Sequence, residues 1–128
     1  IMEKEETEGV IVTAESFYLE SDSNPDEEIF IFAYRIKIKN FSQRTFKLLR
    51  RHWIISDSNG DVNHVRGEGV VGEQPVLESG DEYEYTSGSR LKSAMGTMEG
   101  SYIMTNSEGF EFEVVIPRFT LSVPGVIN

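Results

Sequence analysis

Phe30-Ile31-Phe32-Ala33-Tyr34-Arg35-Ile36-Lys37-Ile38-Lys39 decides the fold class. Every even position in this run is apolar, while the odd positions change from apolar to basic along its length. A period of two sends alternate side chains to opposite faces of a pleated strand, so one face suits a core and the other suits water. Phe110-Glu111-Phe112-Glu113-Val114-Val115-Ile116 repeats the pattern, with Phe110, Phe112, Val114 and Ile116 in phase. Residues 10–19, 46–56, 82–86, 101–105 and 119–123 also read as strands. Ser23-Asn24-Pro25-Asp26, Asp57-Ser58-Asn59-Gly60, Glu78-Ser79-Gly80-Asp81 and Asn106-Ser107-Glu108-Gly109 supply the turns. No helical periodicity lasts the 10 to 12 or so residues that a helix assignment requires. The expected fold is all-β, an antiparallel sandwich of the immunoglobulin or fibronectin type III kind, with a small closed barrel as the competing architecture.

The shared phase places Phe30, Phe32, Tyr34, Ile36, Phe110, Phe112 and Val114 in the core. Residues 46–57 break phase: Phe46 and Leu48 are followed by Leu49, Trp53 and Ile55. A bulge near Arg50-Arg51 would shift the alternation by one and bring Trp53 and Ile55 inward. Residues 87–100, rich in Gly and Ser, read as a long connection suited to meet a partner.

Composition sets outer limits. The chain has 128 residues, 38% hydrophobic content and eight Phe, enough for one domain with one core. No apolar run approaches the roughly 20 residues of a membrane span, and no basic-then-apolar leader opens the chain. Zero Cys excludes a disulfide framework, a thiol nucleophile and a thiolate zinc site, and fits a cytoplasmic location. A net charge of −10 argues against nucleic acid as a partner.

That charge is unevenly spread. Residues 1–28 hold ten acids and the single Lys4, whereas residues 29–56 hold seven bases and no acid. Two readings follow: cross-strand charge pairs between acidic and basic strands, or a basic face that receives an anion or an acidic partner.

The most motif-like stretch is Arg66-Gly67-Glu68-Gly69-Val70-Val71-Gly72-Glu73-Gln74-Pro75, a literal G-x-G-x-x-G. A dinucleotide fingerprint needs a helix to follow, and Pro75 with the turn at Gly80 leaves no room for one. Glu73 and Gln74 stand where a P-loop requires Lys and Ser or Thr, so nucleotide hydrolysis is not expected. The remaining option is an anion nest, in which Gly67, Gly69 and Gly72 take positive φ and expose successive amides, helped by Arg66, Arg51 and His52. The plainer alternative is a tight loop joining two strands, with Val70 and Val71 tucked into the core edge. His52 and His64 read as unrelated surface residues, and the alternating Glu82 and Glu84 as a solvated strand face. Nothing assembles a nucleophile, a base and an oxyanion stabiliser, so no enzymatic activity, catalytic residue, metal site or cofactor is expected.

Several long motifs, in order, carry a resemblance. Arg51-His52-Trp53-Ile54-Ile55, residues 65–75, Tyr85-Thr86-Ser87-Gly88, Gly96-Thr97-Met98-Glu99-Gly100-Ser101-Tyr102, Ile116-Pro117-Arg118-Phe119 and Val123-Pro124-Gly125 resemble the ApaG family. The resemblance spans residues 8–128 as the domain and leaves residues 1–7 as a disordered extension. It implies a fibronectin type III-like sandwich and a stand-alone bacterial form tied to divalent cation (cobalt and magnesium) homeostasis. Similar eukaryotic domains, fused to F-box and polymerase-interacting proteins, imply a protein-interaction module. The leading expectation is therefore a non-enzymatic module that binds an unidentified protein. The alternative is a sensor of a small phosphate-containing anion, using the glycine loop.

Overall fold

The computed structural model describes residues 2–125. Nine strands follow one another: β1 (Glu3–Thr7), β2 (Val10–Tyr18), β3 (Phe30–Asn40), β4 (Phe46–Asp57), β5 (Val62–Glu68), β6 (Val76–Leu77), β7 (Glu82–Leu91), β8 (Met95–Asn106) and β9 (Glu111–Ser122). Two one-turn 3-10 segments, Glu20–Asp22 and Pro25–Glu27, separate β2 from β3. All strand pairings are antiparallel. One sheet has the order β1-β2-β3-β7 and the other β5-β4-β8-β9, with β6 also paired to β4. The two sheets pack as an all-β sandwich. Among the described residues no helix is long and apolar enough to cross a membrane.

Alternation explains the layering. Phe32, Tyr34, Ile36 and Ile38 of β3 turn inward and meet Val12 and Ala14 of β2, Leu48 and Trp53 of β4, Tyr102 and Met104 of β8, and Val114 and Phe119 of β9. Trp53 is 2% exposed and stands edge-on to Tyr34 and Phe119, with ring centroids 5.2 and 5.9 Å away. Such contacts add to the area each ring buries. Phe30, Ile55 and Phe112 are partly buried against the same cluster. On the outer face of β3, Arg35 reaches Glu15 of β2 at 2.8 Å and Glu84 of β7 at 3.7 Å. Lys37 and Lys39 stand opposite Glu84 and Glu82 in register. Arg35 thus lies between two acids, while Lys37 and Lys39 each face one acid on β7 and Thr13 and Ile11 on β2, in keeping with the first of the two charge readings.

Several expectations are corrected. Residues 3–7 are not a disordered extension: they form β1, paired with Ala14–Val10 across a turn in which Glu8 and Gly9 both have positive φ. Such a two-residue turn matches strand twist, and backbone pairing at an edge requires no apolar face. Residues 126–128 of the expected domain lie outside the described residues. Phe110 is 67% exposed rather than core. It belongs to the turn before β9, held by reciprocal hydrogen bonds with Asn106, so the alternation runs one step beyond the strand itself. Residues 87–100 are no long connection, since β7 runs to Leu91 and β8 starts at Met95. The two expected strands, 110–116 and 119–123, are replaced by one, β9 (Glu111–Ser122), because a register shift opposite Met98–Gly100 absorbs Pro117 and Arg118. The bulge in β4 exists, between Leu48 and Arg50, slightly before the expected place.

Candidate functional site

The glycine stretch is an excursion from an edge strand. β5 pairs with Arg50–Ser56 of β4 and β6 pairs with Phe46–Lys47, so the chain follows one edge of β4 and leaves it at residues 69–75. The departure faces the Leu48–Leu49 bulge. It is pinned there by Gly69 N–H donating to Leu49 O at 2.8 Å, Leu48 N–H to Pro75 O at 3.0 Å, and the Gln74 side-chain amide to Leu49 O at 3.0 Å. Val70 and Glu73 exchange two backbone hydrogen bonds of 2.8 and 3.0 Å, closing a turn whose central Val71 and Gly72 both have positive φ. Val70 is buried, whereas Val71 is exposed. Only Gly69 and Gly72 of the three glycines adopt positive φ; Gly67 is ordinary strand backbone.

This arrangement corrects one part of the expected nest, the positive φ of Gly67, and occupies others. The amides of Gly69, Val70 and Glu73 already donate within the protein. Arg51, expected to lend free charge, donates from Nη1 to Glu68 O at 3.0 Å and Gly69 O at 2.9 Å. Its guanidinium lies against Gly67, where an added Cβ would come within 2.8 Å of both terminal nitrogens. Gly67 therefore makes room for a cation that binds loop carbonyls. The glycine at 69 is required twice over, by its positive φ and because a Cβ would collide with the Glu73 carbonyl.

The other expected residues do converge. Arg51, His52, Arg66 and Gly67 border a surface depression of about 460 Å³ together with Arg50, Glu68 and Glu113. His52 and His64 are no random pair: β4 and β5 stack their rings with centroids 5.1 Å apart, and His52 Nε2 lies 2.9 Å from His64 Nδ1. Desolvation, then the positive charge of Arg66 and the neighbouring His64, holds the His52 imidazole below its ordinary pKa of 6.5, against an opposing pull from Glu113. Arg50 is committed in part to Glu111, at 2.6 Å.

Behind the excursion lies a smaller cavity, about 260 Å³, between the loop and β7, lined by Tyr34, Arg51, Trp53, Val70, Gly72, Tyr85 and Ser87 among others. Glu73 accepts a hydrogen bond from the Tyr83 hydroxyl at 3.0 Å, tying the loop to β7. Tyr85 and Tyr102 share a buried hydroxyl–hydroxyl hydrogen bond of 2.5 Å. Burial pushes both phenols well above their ordinary pKa. They are neutral hydrogen-bonding groups at physiological pH.

A second candidate site was not legible in the sequence. At one end of the sandwich the β1–β2, β3–β4 and β8–β9 turns enclose about 340 Å³ lined by Glu8, Ser42, Gln43, Arg44, Phe46, Asn106, Phe110 and Phe112. Phe46 and Phe112 form its wall, edge to face at 4.7 Å. Phe110 at 67% and Phe41 at 57% are among the most exposed large apolar side chains described. The available signal was the placement of Phe41, Phe46, Phe110 and Phe112 beside turn sequences.

Comparison with known proteins agrees with this architecture. The model of the ApaG domain family matches residues 20–106. Protein ApaG of Pectobacterium carotovorum subsp. carotovorum is 49% identical over 119 residues, covering 93% of this chain and 95% of that protein. Protein ApaG of Azoarcus sp. is 46% identical over 127 residues, 99% of this chain and all of its own. A crystal structure from Bordetella pertussis, described as an ApaA protein, superposes with a TM-score of 0.88 at 40% identity, over 91% of this chain and 94% of that one. With a family model across most of its length and relatives this similar from end to end, the chain belongs to the ApaG family.

Proposed function

We propose that this domain is a non-catalytic binding module whose partner is another cytoplasmic protein, engaged at the phenylalanine-lined end of the sandwich. One observation carries the reading: Phe110 stands 67% exposed at the mouth of an apolar pocket walled by Phe46 and Phe112. Exposed aromatic side chains cost solubility and mark recognition surfaces when grouped around a concavity. The pocket's size suits one bulky side chain, and the polar rim of Glu8, Ser42 and Arg44 suits the backbone of an extended segment. The expected ligand is a peptide segment with an aromatic or branched apolar anchor. The connection with divalent cation homeostasis, drawn from the family resemblance, would then act through that partner.

Peptide display against the immobilised wild type, with counter-selection on Phe110→Ser, tests this. Enrichment of apolar-anchored peptides that Phe110→Ser no longer retains supports the reading; peptides held equally by both proteins refute it.

The second reading is binding of a small phosphate-containing anion at the depression bordered by Arg50, His52 and Arg66, favoured by the convergence of those bases. Glu68 and Glu113 border the same depression and oppose it. Calorimetric titration with pyrophosphate at low salt decides: heat in the wild type that Arg66→Ala abolishes favours the anion, and no heat in either ends that reading.

A further inference from the structure

We infer that the free edge of β7 is an interface for a second copy of this chain, formed by antiparallel pairing of β7 with its twin about a two-fold axis at Ser87. This surface is separate from the phenylalanine pocket. Among the described residues β7 pairs with β3 alone and forms one border of its sheet. Its ten residues pair with β3 without a register shift. They include no proline and no inward-pointing charge, the devices that normally keep an edge from pairing. Two other borders differ: β1 packs beside β9, where Thr7 Oγ1 accepts the Val115 N–H at 3.1 Å, and β9 contains Pro117 within a register shift. The remaining border, β5, pairs as regularly but is seven residues long and lacks the ordered row of acids and bases that β7 carries.

The side chains of β7 select the partner. Glu82, Glu84, Thr86, Gly88 and Arg90 form its outward, exposed row, and Lys92 follows just past the strand end. Acids occupy the first half and bases the second, symmetrically about Ser87. Pairing two such strands antiparallel about that residue sets Glu84 opposite Arg90 of the second copy, and Glu82 opposite Lys92. Thr86 then faces Gly88, where no side chain crowds it. Opposite charges directly across an antiparallel pair attract, and a two-fold contact makes each pair twice. A shift in register forfeits this complementarity. Within its own chain Glu84 is 3.7 Å from Arg35 and stands opposite Lys37, Glu82 stands opposite Lys39, and Lys92 is 4.0 Å from Asp61; the two measured ion pairs are exposed and weakly held. The dimer joins two four-stranded sheets into one continuous sheet.

Sedimentation equilibrium over a concentration series tests the inference. The wild type should approach twice the 14.5 kDa chain mass as concentration rises, and dissociate as salt is added. Two variants sharpen it: Arg90→Glu/Lys92→Glu makes the row wholly acidic, and Glu82→Lys/Glu84→Lys makes it wholly basic. Each alone should remain monomeric, and their equimolar mixture should restore the dimer. A wild type that stays monomeric at every concentration, or variants that self-associate as well as it does, overturns the inference; so does a mixture that stays monomeric. If a variant loses the wild-type circular dichroism, mixed-label NMR of the wild type replaces it. Intermolecular contacts across Ser87 support the dimer, and a dimer without them refutes this interface.

Discussion

The glycine excursion and the phenylalanine end both leave the sheets through turns, yet they differ in what they leave unsatisfied. In the excursion the amides of Gly69, Val70 and Glu73, the carbonyls of Glu68 and Gly69 and the carboxylate of Glu73 all have partners inside the protein. At the other end Phe41 and Phe110 face solvent beside an apolar pocket. A loop with most of its polar groups paired, and the Val71 and Gly72 amides at its tip left without a partner among the described residues, has less to offer a ligand than exposed aromatic surface, which gains free energy when covered. The stretch most like a motif is the better candidate for structure, and the stretch without a motif is the better candidate for recognition.

Substitutions on the excursion side should therefore act on stability. Trp53→Ala, beneath the loop, is expected to cost about 3–5 kcal/mol in denaturant unfolding, and near-wild-type stability would remove Trp53 from the core. Tyr85→Phe leaves the fully buried Tyr102 hydroxyl unpaired and should cost about 1–3 kcal/mol, whereas Tyr85→Phe/Tyr102→Phe should cost less than the sum of the single changes. Strict additivity would show that the hydroxyls do not interact. Gly69→Ala should lose about 1–2 kcal/mol from its left-handed backbone alone, before the collision with Glu73 is counted. Phe110→Ser, by contrast, should change stability by no more than about 0.5 kcal/mol. Equal losses for Gly69→Ala and Phe110→Ser would erase the distinction between the two regions.

The smallest expected effect is one of pH. His52 is held below pKa 6.5 in the folded protein, so the unfolded chain binds its proton more readily. The stability gained by keeping this imidazole neutral is present above pH 6.5 and is lost as pH falls through the depressed folded value. NMR titration should place the His52 midpoint below 6.5, and Arg66→Ala should raise it. An unmoved midpoint would show that the excursion's basic flank does not act on His52.

The same contrast explains what could be read from the sequence. β3 was legible because it is central and one of its faces is buried from Phe32 onward, so burial and alternation coincide at Phe32, Tyr34, Ile36 and Ile38. β5 was not, because Val62 to Glu68 form a border strand with hardly a buried side chain, leaving no period to find. Gly96 and Gly100 suggested a connection, but they lie inside β8, where a Cβ would strike the carbonyls of Ser56 and His52. Glycine there permits close approach of strands rather than a turn. The G-x-G-x-x-G spacing suggested free amides because sequence records conformational freedom and not hydrogen-bond partners. β4 and β5 carry Arg51, His52 and Arg66 side by side, but nothing in the order of residues foretells that Arg51 donates to the carbonyls of Glu68 and Gly69.

The most direct test is a chemical-shift titration of the labelled wild-type domain with an apolar-anchored peptide obtained by display. The account predicts shifts concentrated at residues 41–46 and 106–112, saturable and lost in Phe110→Ser, with residues 66–75 unmoved. Shifts centred on residues 66–75, retained in Phe110→Ser and abolished in Arg66→Ala, would contradict it.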